Sequence, residues 1–164
     1  MLVLALTSAV ASDFQIDVDV DLNANIRIGE TVRITSRNDG NVYSLGEALI
    51  IDAPVEGQVG GLAQDIHVTK AGSIGGDLTL AGETLVLDGP VSGDIKGAMR
   101  VFDLNSRVDG AVHIALEEAK VGPKARIDGD LDYESEARIP ALEKVVRGAV
   151  TWEKSDTHIE FNAQ

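Results

Sequence analysis

From Ile74 to Ile95 the sequence reads IGGDLTLAGETLVLDGPVSGDI, and it begins and ends on the same phrase: Ile74-Gly75-Gly76-Asp77-Leu78, then Val91-Ser92-Gly93-Asp94-Ile95. The phrase, aliphatic-x-Gly-polar-aliphatic, recurs at Val55 to Val59, Val108 to Val112, Ile127 to Leu131 and Val146 to Val150. Its glycine stands at Gly40, Gly57, Gly76, Gly93, Gly110, Gly129 and Gly148, with spacings of 17, 19, 17, 17, 19 and 19 residues. A repeat of fixed period is one structural unit that buries its apolar face only against its neighbours, so the period decides the architecture.

Other positions keep the same register. Two residues after each glycine stand Val42, Val59, Leu78, Ile95, Val112, Leu131 and Val150. Nine and eleven residues after come Leu49 and Ile51, Ile66 and Val68, Leu85 and Leu87, Phe102 and Leu104, Ala119 and Val121. One outward residue separates the members of each pair, which is the period of a strand. One period upstream of Gly40 falls Asn23, and Val32 and Ile34 then occupy offsets nine and eleven, so a degenerate eighth repeat starts there. A Gly-Glu pair at Gly29-Glu30, Gly46-Glu47 and Gly82-Glu83 supports that start independently.

A unit of 17 to 19 residues with two or three short strands is too short for a helix-containing repeat and suits one coil of a parallel β-helix. The expectation is an all-β, single-domain, three-sided parallel β-helix of seven to eight coils over residues 23–152, stacked about 4.8 Å apart into a rod of about 35 Å. Inward aliphatic residues form ladders along the axis. Three Phe, two Tyr and one Trp leave few side chains too large for a narrow interior. The glycines are expected at corners, where the backbone leaves the β region.

With 164 residues and 44% apolar content the chain forms one domain with a core. A net charge of -13 argues against nucleic acid or anionic lipid as an electrostatic partner. The absence of cysteine excludes disulfides and thiolate metal sites. No stretch reaches the eighteen or so apolar residues that span a bilayer.

Residues 1–12 stand apart. The run Leu2 to Leu6 followed by Ala9-Val10-Ala11 resembles a signal peptide or membrane-proximal segment without its basic start; the alternative is an apolar cap strand. Residues 13–22 alternate Phe14, Ile16, Val18, Val20 and Leu22 with Asp17, Asp19 and Asp21, a one-sided strand expected to cover the first open coil. Residues 153–164 form a polar tail containing Ile159 and Phe161.

Catalytic chemistry has little foothold. His67, His113 and His158 occupy unrelated repeat offsets and read as separate surface residues. Asp77, Asp94 and Asp130 follow corner glycines; corner backbone N–H groups account for them better than calcium, which needs several converging oxygens. The acidic run Asp17-Asp19-Asp21 reads as a solvated strand face. Phosphate-loop, nucleophile-elbow and zincin motifs are absent from the sequence. Gly60-Gly61 and Gly75-Gly76 are read as corner residues, not a dinucleotide loop. The expectation is therefore no enzyme, no cofactor, no metal and no nucleotide.

The segments Ile74 to Leu78, Val91 to Ile95 and Ile127-Asp128-Gly129-Asp130-Leu131 resemble the bactofilins, polymer-forming cytoskeletal proteins. The resemblance covers about Asn23 to Trp152. It implies a right-handed three-sided β-helix whose units join end to end into filaments without nucleotide. It also implies a membrane-associated scaffold of the cell envelope, with itself and envelope or membrane proteins as partners. The possible export segment and the early end after the last coil make the chain look closer to exported or membrane-linked relatives.

Two other functions compete. A left-handed β-helix acyltransferase would need hexapeptide spacing and a catalytic histidine, and these columns do not advance by six. A β-helix binding ice or sugar would need an aligned threonine array or exposed aromatics, whereas Thr69, Thr79 and Thr84 fall at different offsets. The sequence thus points to a self-associating rod whose assembly surface is its C-terminal end, with Val146, Val150 and Trp152 as the last apolar residues of the columns.

Overall fold

The computed structural model describes residues 2–7, 15–20 and 25–155, the first two stretches as backbone alone. Strands β1 (Leu2–Thr7) and β2 (Gln15–Val20) pair antiparallel as a separate two-stranded sheet. Ala9-Val10-Ala11, Phe14, Leu22 and residues 156–164, with His158, Ile159 and Phe161, lie outside the described residues.

The rest is a parallel β-solenoid of about eight turns. Its first face is a ladder of β3 (Asn25–Ile34), β4 (Val42–Ile51), β6 (Val59–Leu62), β9 (Leu78–Leu87), β10 (Ile95–Leu104), β12 (Val112–Val121), β14 (Leu131–Ser135) and β15 (Val150–Lys154), stacked in chain order. The ten-residue strands bend and continue into the second face, where β7 (Asp65–Val68) fills the same place in the coil begun by β6. The bend lies at the Gly-Glu pair: Met99 pairs with Gly82 and Val101 with Thr84, while Arg100 and Glu83 between them leave the ladder. The third face consists of β5 (Pro54–Val55), β8 (Ser73–Ile74), β11 (Arg107–Val108) and β13 (Arg126–Ile127). Single bridges Asn38–Val55, Ile74–Val91, Val91–Val108 and Ile127–Val146 complete that face. The degenerate first repeat is present, since Val32 and Ile34 stand in register with Leu49 and Ile51.

Two of the three 19-residue coils differ from the 17-residue coils at one corner. The turns Thr69 to Gly72 and Gly122 to Ala125, each closed by an N–H to C=O bond (2.9 and 3.2 Å), insert two residues before the third face. The shorter coil takes that corner through Asp88-Gly89-Pro90. Inward columns on all three faces fill the interior as the repeat requires. Val42, Val59, Leu78, Ile95, Val112 and Leu131 are buried on the first face, Leu49, Ile66, Leu85 and Phe102 on the second, and Val55, Ile74, Val91, Val108 and Ile127 on the third.

The corner glycines serve a different purpose from the one expected. Among the described glycines only Gly61 has a positive φ. The column Gly57 to Gly148 is instead stacked backbone on backbone: the N–H groups of Gly76, Gly93, Gly129 and Gly148 donate to Gly57, Gly76, Gly110 and Gly129 carbonyls at 3.0 to 3.2 Å. A Cβ on Gly93 would stand 2.5 Å from the Gly76 carbonyl oxygen, so close approach excludes a side chain there. Gly40, the first described residue of that column, has room for one, the nearest atom lying 3.8 Å away.

Candidate functional site: the C-terminal end and the polar corners

The last coil is not built like the others. Offsets nine and eleven from Gly129 are Arg138 and Pro140 instead of an aliphatic pair. Proline has no N–H for a parallel ladder but is accommodated in the first turn of a helix. The second face therefore ends at β12, and the chain forms a single helical turn, α1 (Pro140–Glu143), which packs against β12. Leu142 from that turn is fully buried in the core, and the partly buried Ile139 and Val145 pack against the same core. The expectation that every coil is purely strand and turn fails at this one place.

The first and third faces run further. On β15, Val150 and Trp152 stack on Leu131 and Tyr133, and Val146 bridges to Ile127 on the third face. Val146, Val150 and Trp152 are half-buried, with the core beneath them. Side-chain bonds hold this end together. The Trp152 Nε1–H donates to Ser135 Oγ at 3.0 Å, and Ser135 Oγ–H donates to the Ala137 carbonyl at 2.7 Å. The Arg138 guanidinium lies 5.3 Å from the Trp152 ring centroid and reaches Glu143 at 3.2 Å. The Tyr133 hydroxyl donates to Glu143 Oε1 at 2.6 Å and accepts the Ile139 N–H at 3.0 Å. Burial, then the bond to Glu143, pushes the Tyr133 hydroxyl up to about 12, so it remains a donor across the ordinary pH range. Burial also raises Glu134, and Glu153 alongside it in register adds like charge.

The corner aspartates bind backbone. Asp77 Oδ1 accepts the Asp94 N–H, Asp94 Oδ1 the Ala111 N–H and Asp130 Oδ1 the Ala149 N–H, each at 2.8 Å; Asn41 Oδ1 accepts the Gln58 N–H at 2.9 Å. Each acceptor thus holds the equivalent residue one coil on. A second polar column runs along the corner before the third face. Thr69 Oγ donates to Asp52 at 2.6 Å, and Asn105 Nδ2 donates to Asp88 at 3.0 Å. That column was not evident in the sequence, because Thr, Asp, Asn and Gly share no side-chain class there. His67 and His113 do lie apart, on the second and first faces, each within 2.9 Å of an acid: Asp88 and Asp132. The bond from His67 holds the Asp88 carboxyl below its usual range.

No protein-family model matches this sequence, and neither a curated protein nor a solved structure matches it. The geometry itself defines the class: a three-sided parallel β-solenoid with a helical turn plugging one face of its C-terminal end.

Proposed function

We propose that the chain is a non-enzymatic structural scaffold whose rods associate end to end into polymers at the cell envelope. The supporting observation is the unfinished ladder. Strand β15 pairs β14 along one edge, no strand pairs its other edge among the described residues, and half-buried Val146, Val150 and Trp152 end three columns on two faces. An open strand edge beside an apolar cross-section is a template for adding another chain, and a second copy carries the same surface. The main contact is C-terminal end to C-terminal end, through the first and third faces, because α1 occupies the second; such a contact closes at two copies, so growth into polymers also joins N-terminal ends. The envelope setting rests on the likeness of the repeated segments to bactofilins, as does a partnership with membrane or envelope proteins. A chain with net charge -13 repels its copies, so assembly strengthens as salt rises.

Electron microscopy and analytical ultracentrifugation test this. The parent forms filaments or a concentration-dependent series of oligomers. Val150→Arg, which sets a charge into the contact, reduces it to small species while keeping the β-sheet circular-dichroism spectrum. A parent that stays monomeric at every salt concentration, or a variant that assembles as the parent does, removes this surface from the proposal.

A further inference from the structure

Positive charge gathers at one end of the third face. On the first rung of that face Arg37 is paired to Asp39 at 3.0 Å and to Glu56 at 3.1 Å. The middle rungs present Ser73, Gly75, Pro90 and Ser92, which carry no charge. The last three rungs differ. Arg107, Arg126 and Arg147 flank the buried aliphatic column there, with Lys124 in the turn before β13 and Lys144 next to Val145. Five cations thus share two carboxylates of the same face, Asp109 held by Arg107 at 2.6 Å and Asp128 by Arg126 at 2.8 Å. Asp130 and Glu143, the nearest other acids along the chain, are bound to the Ala149 N–H and the Tyr133 hydroxyl. Lys124 and Lys144 are exposed and make no ion pair among the described residues.

The complementary charge lies on the corner opposite. In a three-sided coil the bend between the first and second faces stands across the interior from the third face. Its first three rungs present Glu30, Glu47 and Asp65, all exposed and without an ion pair among the described residues. On the fourth rung Glu83 already has a cation, Arg100, at 4.0 Å. The basic patch occupies the last three of seven rungs and the acidic bend the first three, which separates them by about 19 Å along the axis as well as by the width of the rod. Neither can neutralise the other within one molecule.

We infer that rods associate side by side, the basic end of the third face of one lying against the acidic bend of a second copy. Both surfaces advance by one strand spacing per rung, so successive charges meet in register. Complementary charge selects partner and register more than it adds affinity, and each exposed pair contributes little, so the contact is weak and needs several pairs at once. Because the two surfaces differ, every copy keeps a free patch or a free bend, and the contact repeats sideways without closing. It does not rest on the end contact proposed above and responds oppositely to salt. At about 0.1 M salt the Debye length of about 10 Å screens most of the overall repulsion and leaves close pairs, whereas at about 1 M it is about 3 Å and the pairs are lost.

Carbodiimide crosslinking tests the contact, because it joins an ammonium to a carboxylate only where the two touch. Full-length chains labelled with heavy nitrogen are mixed with unlabelled chains, so a crosslink carrying both labels joins two copies. The expected result at about 0.1 M salt is a mixed-label bond from Lys124 or Lys144 to Glu30, Glu47 or Asp65, reduced about tenfold at about 1 M. Glu30→Lys with Glu47→Lys, or Lys124→Glu with Lys144→Glu, removes these bonds. Mixing the two variants restores them, since one keeps the patch and the other the bend. Val150→Arg leaves them in place, which separates this contact from the end contact. Absence of mixed-label bonds at these positions, bonds as abundant at high salt, no recovery on mixing, or loss with Val150→Arg overturns the inference. Binding to phosphatidylglycerol vesicles that Lys124→Glu with Lys144→Glu abolishes, without mixed-label bonds, also overturns it and assigns the patch to an anionic surface.

Discussion

Asp94 Oδ1 lies 2.8 Å from the backbone nitrogen of Ala111, the residue that occupies Asp94's own place one coil further on. Asp94 in turn donates its N–H to Asp77, so one residue joins three coils along an edge where the regular strand ladders do not run. Replacing it by alanine removes an acceptor for a partly exposed amide and lowers stability by about 1 kcal/mol; Asp94→Asn, which keeps an oxygen there, loses less. Urea unfolding at pH 7 measures both. Because these carboxylates already serve backbone amides, millimolar calcium and chelator leave the melting temperature unchanged; a rise of several degrees with calcium would contradict that role.

The glycine column makes a sharper contrast. Gly93→Ala drives a methyl group into the Gly76 carbonyl and destabilises by about 1–3 kcal/mol as the two coils separate. Gly40→Ala, at the head of the same column, changes the unfolding midpoint little. If both alanines cost the same, stacking is not what keeps this position glycine.

Ile95 is fully buried between Leu78 and Val112, and an aspartate there is an uncompensated charge in an apolar column. Ile95→Asp unfolds the chain or costs several kcal/mol even after the carboxyl takes up a proton. Val86→Asp, on the outward side of β9 and half-buried, stays within about 1 kcal/mol of the parent. Thermal melts followed by circular dichroism distinguish the two.

Stability depends on pH at two different ends of the scale. Asp88 is depressed in the folded chain by its bond from His67, so the unfolded chain binds more protons in acid. Its contribution is present above the ordinary carboxylate value of 3.8 and is lost as pH falls below it; His67→Gln or Asp88→Asn makes that acid decline shallower. Tyr133 is raised from 10.0 to about 12, the opposite sign for alkali: its contribution is present below pH 10 and is lost as pH climbs toward 12. Tyr133→Phe flattens the alkaline limb. Melting temperature against pH for the parent and these variants is the measurement, and an unchanged limb in either case rules out the assigned group.

Much of the solenoid was legible because its columns repeat a side-chain class. Val32 and Ile34 could be placed in a first repeat that carries Asn23 where the others carry the corner glycine, since offsets nine and eleven demanded aliphatic residues there. The inward column holding Ser44, Gly61, Leu80, Gly97, Ile114 and Tyr133 escaped notice because each coil fills the same volume with a different kind of residue. Helix α1 was also missed, although Arg138 and Pro140 at offsets nine and eleven mark where the pattern stops. Of the C-terminal end, the apolar residues Val146, Val150 and Trp152 were visible as the ends of columns. The bonds among Tyr133, Glu143, Arg138 and Trp152 were not, since they depend on how a turn folds back in space.

The two-residue inserts at Thr69 to Gly72 and Gly122 to Ala125 show that coil length can vary at a corner while the coils above and below keep their register. Distance along the axis is therefore counted in coils, not residues: about 4.8 Å for each, whether a coil contains 17 or 19. Duplicating the unit from Gly76 to Ser92 would lengthen the molecule by one such step and leave both of its ends chemically the same. The axial distance between the two ends is thus a whole number of β-strand spacings, set by how many repeats the sequence contains.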